Sequence, residues 1–191
     1  HLHLAIDAEE FFLVFQPQID TEGQVIGAEA LLRWQSAELG MVTPDEFIPL
    51  AEETGLIHKL GKWVFESALD TLVRFQEAIN FRPEFKLAIN VSSKQFRNVN
   101  IVSEVKHAIL SRGLNPSNVQ IEITESLLID NKDIAVRSML KLQSIGVSIA
   151  IDDFGTGYSS LAYIANLPID KLKIDRSFIT DLHRINTNRK L

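Results

Sequence analysis

Glu29, Asn90, Glu122, Asp152, Asp153, Lys173 and Asp175 lie within or at the ends of five short apolar runs. Carboxylates brought together raise one another's pKa, and a converging group of them stays ionised only with cations among them. Carboxylate and amide oxygens, with water, are the donors that Mg²⁺ and Mn²⁺ accept. The adjacent pair Asp152-Asp153 suits bridging two ions. Two such ions roughly 3.5–4 Å apart are the usual apparatus for in-line attack of water on a phosphodiester. These residue types therefore point to metal-assisted hydrolysis, with a phosphoester as the natural substrate.

The elements that must position them alternate along the chain. Apolar, β-rich runs occur at 11–18, 25–34, 85–92, 119–125, 147–154 and 171–175, and helix-like stretches lie between most of them. Thr43-Pro44-Asp45-Glu46 reads as a capping box with proline at the first helical position, and Gly55 closes that helix. Leu60, Val64, Ala68, Leu72, Phe75 and Ile79 recur at helical spacing. Ala135, Met139 and Leu142 form a stripe that Gly146 ends; Leu161, Ile164 and Ala165 stop before Pro168; Phe178, Ile179 and Leu182 begin a last helix. Strands alternating with helices of this size predict βα units and a mainly parallel sheet. The first two runs are separated only by Asp20-Thr21-Glu22-Gly23, which is hairpin length and requires an antiparallel pair.

The two-residue phase of the strands carries a second message. Leu87, Ile89 and Val91, then Val119, Ile121 and Ile123, then Ile149 and Ile151 form one apolar face. Lys86, Ala88 and Asn90, then Gln120, Glu122 and Thr124, then Ser148, Ala150 and Asp152 form a polar or small one. Parallel strands covered by helices on both sides of an open sheet would be apolar throughout. A barrel accounts for the difference, with the apolar phase under outer helices and the polar phase lining a lumen that opens at the C-terminal strand ends.

The chain has 191 residues, of which 46% are hydrophobic and 23% charged, no cysteine and a formal charge of −6. One domain is expected at this length, and the absence of cysteine excludes a disulfide framework, a thiol nucleophile and a cysteine-based zinc site. Neither a transmembrane run nor a signal peptide is legible, so a soluble, cytoplasmic domain is the expectation. Net acidity argues against a DNA or RNA polymer as partner, since phosphate-backbone binding needs many Lys and Arg. A small phosphate ligand can still be held through cations.

With these residues in view, Glu29-Ala30-Leu31-Leu32-Arg33-Trp34 resembles the signature of the EAL family of cyclic di-GMP phosphodiesterases. The other motifs of that family follow in order. Phe15-Gln16-Pro17 looks like its Tyr-Gln-Pro strand with Phe in place of Tyr. Phe47-Ile48-Pro49 precedes Ala51-Glu52. Asn90-Val91-Ser92, Glu122-Ile123-Thr124-Glu125, Asp152-Asp153-Phe154-Gly155-Thr156-Gly157 and Lys173-Ile174-Asp175 complete the set. Ordered motifs over nearly the whole chain are far more specific than the tripeptide alone.

The resemblance implies a modified TIM (β/α)8-type barrel whose first strand is antiparallel. It also implies hydrolysis of cyclic di-GMP, a bacterial second messenger, to the linear dinucleotide. By position it assigns Glu29, Asn90, Glu122 and Asp152 as metal ligands, with Asp153 serving a second Mg²⁺ or Mn²⁺. Lys173, with Glu29 and Asp152, becomes the catalytic group. Gln16, Leu31 and Arg33 match substrate-contacting positions, and Asp175 joins them. Glu125 matches the glutamate that supports the loop running from Phe154 to Ser160, which the family links to metal binding and dimerisation. A homodimer and a fused diguanylate cyclase or sensor domain outside this chain are further implications, with the cytoplasmic part of a larger membrane-anchored protein as the alternative to a free cytoplasmic one.

The chain departs from the family after its sixth apolar run. A TIM-type barrel has eight strands and typically about 250 residues. The family's seventh-strand Glu-Gly-Val-Glu motif and eighth-strand Gln-Gly motif do not occur before Leu191, so the expectation is a single EAL domain over residues 1–191 that is C-terminally incomplete. The alternative function is a catalytically inactive EAL module that binds cyclic di-GMP or a protein partner as a sensor. Degenerate members usually lose metal ligands, and every ligand expected before Leu191 is present, which favours the enzyme.

Overall fold

The polar and apolar phases become the two faces of one curled sheet in the computed structural model, which describes residues 2–77, 82–128, 132–155, 164 and 166–178. The strands are β1 (Phe11–Ile19), β2 (Val25–Ser36), β3 (Gly40–Val42), β4 (Lys86–Asn90), β5 (Val119–Thr124), β6 (Ser148–Phe154) and β7 (Lys171–Ile174). They are ordered β1-β2-β4-β5-β6-β7, with β3 paired to β2. β1 and β2 are antiparallel, as the hairpin length requires, and the pairings from β2 through β4, β5, β6 and β7 are parallel. Asp20 closes the hairpin, its Oδ1 accepting the backbone N–H groups of Glu22 and Gln24 at 2.9 and 2.8 Å. This is a TIM-like α/β barrel wall with an inverted first strand.

The helices are α1 (Leu2–Asp7), α2 (Pro44–Thr54), α3 (Ile57–Gln76), α4 (Ser93–Phe96), α5 (Ile101–Leu110) and α6 (Lys132–Ser144). At the start of α2 the Glu46 carboxylate accepts both the backbone N–H and the hydroxyl of Thr43, and Gly55 ends the helix in the left-handed region at φ 75°. Leu87, Ile89, Ile121, Ile123, Ile149 and Ile151 are buried among Leu69 and Leu72 of α3, Val105 and Ile109 of α5, and Met139 and Leu142 of α6. Each such side chain contributes roughly 1.5–3 kcal/mol of burial. A second cluster ties the β1–β2 hairpin to α2 and α3: the rings of Phe11 and Trp34 stack at 5.5 Å, and Phe47 packs edge-on against both.

On the inner face, Lys86 of β4 donates to the Ser148 hydroxyl of β6, and Lys171 of β7 donates to Gln18 Oε1 of β1 at 2.9 Å. The second contact joins the two ends of the strand order, so the sheet curls far enough for its edge strands to meet through side chains. Among the described residues β1 and β7 are not paired through their backbones.

Several elements differ from the sequence expectation. β3 is a seventh strand, formed where β2 overruns Trp34 and Gly40 turns the chain back upon it. α1 and α5 were not anticipated. The strand with Glu122 ends at Thr124, and Glu125 opens a turn of 3₁₀ helix over Glu125–Leu128, not the strand end it was expected to share. α6 stops at Ser144, and Gly146, at φ 99°, turns the chain two residues later. Leu161, Ala165, Ile179, Leu182 and the loop residues 156–160 lie outside the described residues.

Candidate active site

Strand register brings the acidic residues together. Gln16 lies across from Glu29, Asn90 from Glu122, and Thr124 from Asp152, so Glu29, Glu122 and Asp152 project from β2, β5 and β6 into the same lumen. One carboxylate oxygen from each lies within 4.8 Å of the others. At their meeting point stands the Lys173 ammonium of β7, donating to Glu29 Oε2 at 2.9 Å, Glu122 Oε2 at 2.5 Å and Asp152 Oδ2 at 2.8 Å. All three N–H groups of the lysine are thereby engaged.

The remaining oxygen of each carboxylate is tethered from behind. Glu29 Oε1 accepts from Asn90 Nδ2 at 2.8 Å, Glu122 Oε1 from Gln120 Nε2 at 2.8 Å, and Asp152 Oδ1 from the Asp153 backbone N–H at 2.9 Å. Each ligand candidate thus has one oxygen held and one oxygen aimed at a common centre.

Glu122 is fully buried, and that burial raises its carboxyl pKa above the ordinary value; the hydrogen bond from Lys173 opposes the rise, while the charges of Glu29 and Asp152 add to it. Burial alone would lower the Lys173 pKa, but its hydrogen bonds to Asp152, Glu122 and Glu29 outweigh this and hold the amine above its usual range. The donor set fits a hard divalent cation. Three carboxylate oxygens converge where positive charge already sits, and the Asn90 amide, with its nitrogen turned to Glu29, has an oxygen left to coordinate.

Asp153 is placed by its backbone. Strand alternation would send neighbouring residues to opposite faces. Asp153 adopts φ 52°, in the left-handed region that aspartate tolerates better than most residues, and the β6–β7 register shifts between Ile151 and Phe154. Its carboxyl pKa is raised by burial first and then by the charges of Asp152 and Asp175. It is not one of the three residues whose oxygens converge.

The other expected site residues are distributed as follows. Gln16, Leu31 and Arg33 share the inner phase of the β1–β2 hairpin with Glu29; Arg33 donates to the Leu32 carbonyl at 2.8 Å. Asp175 caps the chain after β7. Its Oδ1 accepts the Ser177 backbone N–H at 2.8 Å and the Ser177 hydroxyl, and these bonds lower its pKa. Glu125, buried just past β5, accepts the Gly155 backbone N–H at 3.1 Å, so it holds the start of the loop after β6. Gly155 stands at φ 103°, and a Cβ there would meet the Phe178 ring at 2.3 Å. Gln120 carried no expected role. The signal was its place two residues before Glu122, in the same strand phase.

The family model described as EAL domain matches residues 1–191. The chain is 40% identical over 182 residues to the bifunctional diguanylate cyclase/cyclic di-GMP phosphodiesterase MucR of Pseudomonas aeruginosa, covering 95% of this chain and 26% of MucR. It is 35% identical over 192 residues to the cyclic di-GMP phosphodiesterase PdeR of Escherichia coli, covering 100% of this chain and 28% of PdeR. The chain therefore spans about a quarter of the length of these curated relatives. Among solved structures, the c-di-GMP complex of the PaMucR phosphodiesterase superposes with a TM-score of 0.89 at 40% identity, covering 95% of this chain and 73% of that one. Because the EAL domain model matches the chain from residue 1 to residue 191, the chain belongs to the EAL domain family.

Proposed function

We propose that this chain forms the body of a metal-dependent phosphodiesterase that hydrolyses cyclic di-GMP to the linear dinucleotide. The observation that carries this is the convergence of Glu29, Glu122 and Asp152 on one point, each with its second oxygen tethered. The descriptions of MucR and PdeR as cyclic di-GMP phosphodiesterases, and the c-di-GMP complex of PaMucR, support the choice of substrate.

Glu29, Asn90, Glu122 and Asp152 would hold one Mg²⁺ or Mn²⁺, and Asp152 with Asp153 a second. Such cations, when bound, acidify a water molecule and neutralise phosphate charge. Lys173, already charged and aimed into the cluster, would turn an N–H group from those carboxylates, once cations hold them, to negative charge developing on the phosphate oxygens. Glu29 and Asp152 orient that lysine through their shared contacts with it. Gln16, Leu31 and Arg33, on the inner side of the hairpin, contact the substrate, and Asp175 contacts it from β7. Glu125 keeps the loop from Phe154 in place through Gly155.

A homodimer, a fused diguanylate cyclase or sensor domain, and a cytoplasmic setting belong to the same proposal. The description of MucR as bifunctional supports the second. No helix among the described residues is long and apolar enough to cross a membrane. That the 191 residues form one EAL domain with further strands beyond them is also proposed, and the 73% coverage of the PaMucR chain supports it.

The test is chromatographic. Cyclic di-GMP is incubated with the chain and Mn²⁺, beside a Glu29→Ala control. Linear dinucleotide from the wild type alone is expected. Intact substrate together with saturable cyclic di-GMP binding would replace the enzyme with a binding module.

A further inference from the structure

We propose that Gln120 is a positioning residue for the cation site: its side-chain amide fixes the Glu122 carboxylate so that one defined oxygen faces the ion. The inference rests on the metal-dependent reading of this site and adds to it a residue given no role above.

Gln120 is 2% exposed and shares the inner phase of β5 with Glu122. Its Nε2 donates to Glu122 Oε1 at 2.8 Å. The amide must present its nitrogen here, because its oxygen against a carboxylate would oppose two acceptors. Glu122 itself is 0% exposed, so no bulk water competes to hold Oε1. With Oε1 engaged by Gln120, Oε2 is the oxygen left for the centre where Lys173 now sits.

The corresponding tethers on the other two carboxylates have different sources. Asn90, which holds Glu29, is an expected ligand in its own right, and Asp152 is held by a backbone N–H. Gln120 is thus a side chain whose contribution to the cluster runs wholly through another residue. Outer partners of this kind orient a ligand before the ion arrives, and their loss typically weakens metal affinity about 10–100-fold.

The measurement is the Mn²⁺ dissociation constant, from isothermal titration of the metal-stripped protein at constant pH, for the wild type and Gln120→Met. Methionine keeps the length and volume and removes the donor. The expected result is a rise in Kd of about 10–100-fold, beside the fall in metal-free Tm that an unpaired, buried Glu122 Oε1 brings. A role limited to packing would lower the Tm and leave Kd unchanged. Should Gln120→Met fail to fold, Gln120→Asn, one methylene too short to make the contact, is expected to show the same loss of affinity. A Kd within threefold of wild type in whichever variant folds overturns the proposal, as does a wild type that binds no Mn²⁺. Wild-type protein that binds Mn²⁺ but leaves cyclic di-GMP intact defeats only the phosphodiesterase reading.

Discussion

Replacing Lys173 by methionine removes the ammonium that Glu29, Glu122 and Asp152 share, taking these four groups from a formal −2 (three carboxylates and one ammonium) to −3. Taking one partner from a buried ion pair costs about 3–5 kcal/mol. Glu122 is fully buried, but Lys173, Glu29 and Asp152 keep 22%, 14% and 20% of their side-chain surface in water. That solvation reduces the expected loss to about 2–4 kcal/mol at pH 7.5. For a domain of this size the loss corresponds to a Tm lower by about 4–16 °C.

The pH dependence has a definite sign. A lysine whose pKa is raised in the folded protein stabilises it fully below the ordinary amine pKa, and loses that contribution only as pH climbs through the raised value. On the acid side the partner that responds is Glu122, whose pKa is raised by burial and rises further once the lysine is gone. Its protonation relieves the repulsion, so the deficit of Lys173→Met shrinks as the pH falls from 7.5 to 5. Thermal unfolding in EDTA at both pH values measures this for Lys173→Met, Glu122→Gln and the double variant. The double variant should recover part of the single-variant loss, because Glu122→Gln removes one of the uncompensated charges. A Tm unchanged by Lys173→Met, a deficit equal at the two pH values, or strictly additive losses would refute the account of the lysine as the cluster's internal counter-charge.

Two further outcomes follow from the same geometry. Because the Glu122 pKa is raised and a metal ligand must be deprotonated, Mn²⁺ affinity falls as pH drops from 7.5 to 5.5, with proton release on binding; titration in buffers of different ionisation enthalpy detects both. Gly155→Ala forces a Cβ against the Phe178 ring at a φ of 103°, and should destabilise the protein by about 1–3 kcal/mol in urea unfolding while loosening the hydrogen bond to Glu125.

Much of this arrangement was legible in the residues. Strand phase separated lumen from core because Glu122 and Asp152 alternate with fully buried isoleucines, and a gap of hairpin length dictated the inverted first strand. The capping box at Thr43 and the stop at Gly55 needed only local hydrogen bonding. What escaped depended on tertiary partners. α5 carries just Ile101, Val105 and Ile109 as its buried stripe, interleaved with polar residues, and β3 is a three-residue extension that exists because β2 offers it an edge. Glu125 was placed on a strand because periodicity does not mark where a ladder ends. Asp153 defeats alternation altogether, through one left-handed residue and the bulge beside it. Gln120 stood in the right phase, but a buried glutamine draws attention only when its hydrogen-bond partner is known.

The span in sequence of the Lys173 contacts has a consequence for how the protein is made. The lysine lies 144, 51 and 21 residues after Glu29, Glu122 and Asp152. A ribosome therefore delivers all three acids before the base that balances them. Until residue 173 emerges, the three carboxylates lack the ammonium that binds all of them, and bringing those side chains together sets like charges against one another. The docking of β7 is therefore worth more than a four-residue strand would otherwise supply. Contacts this distant in sequence also make closure slow relative to the helices that precede it. Divalent ions present during synthesis would shorten that wait by occupying the same centre, coupling the chain's maturation to the metal content of its surroundings.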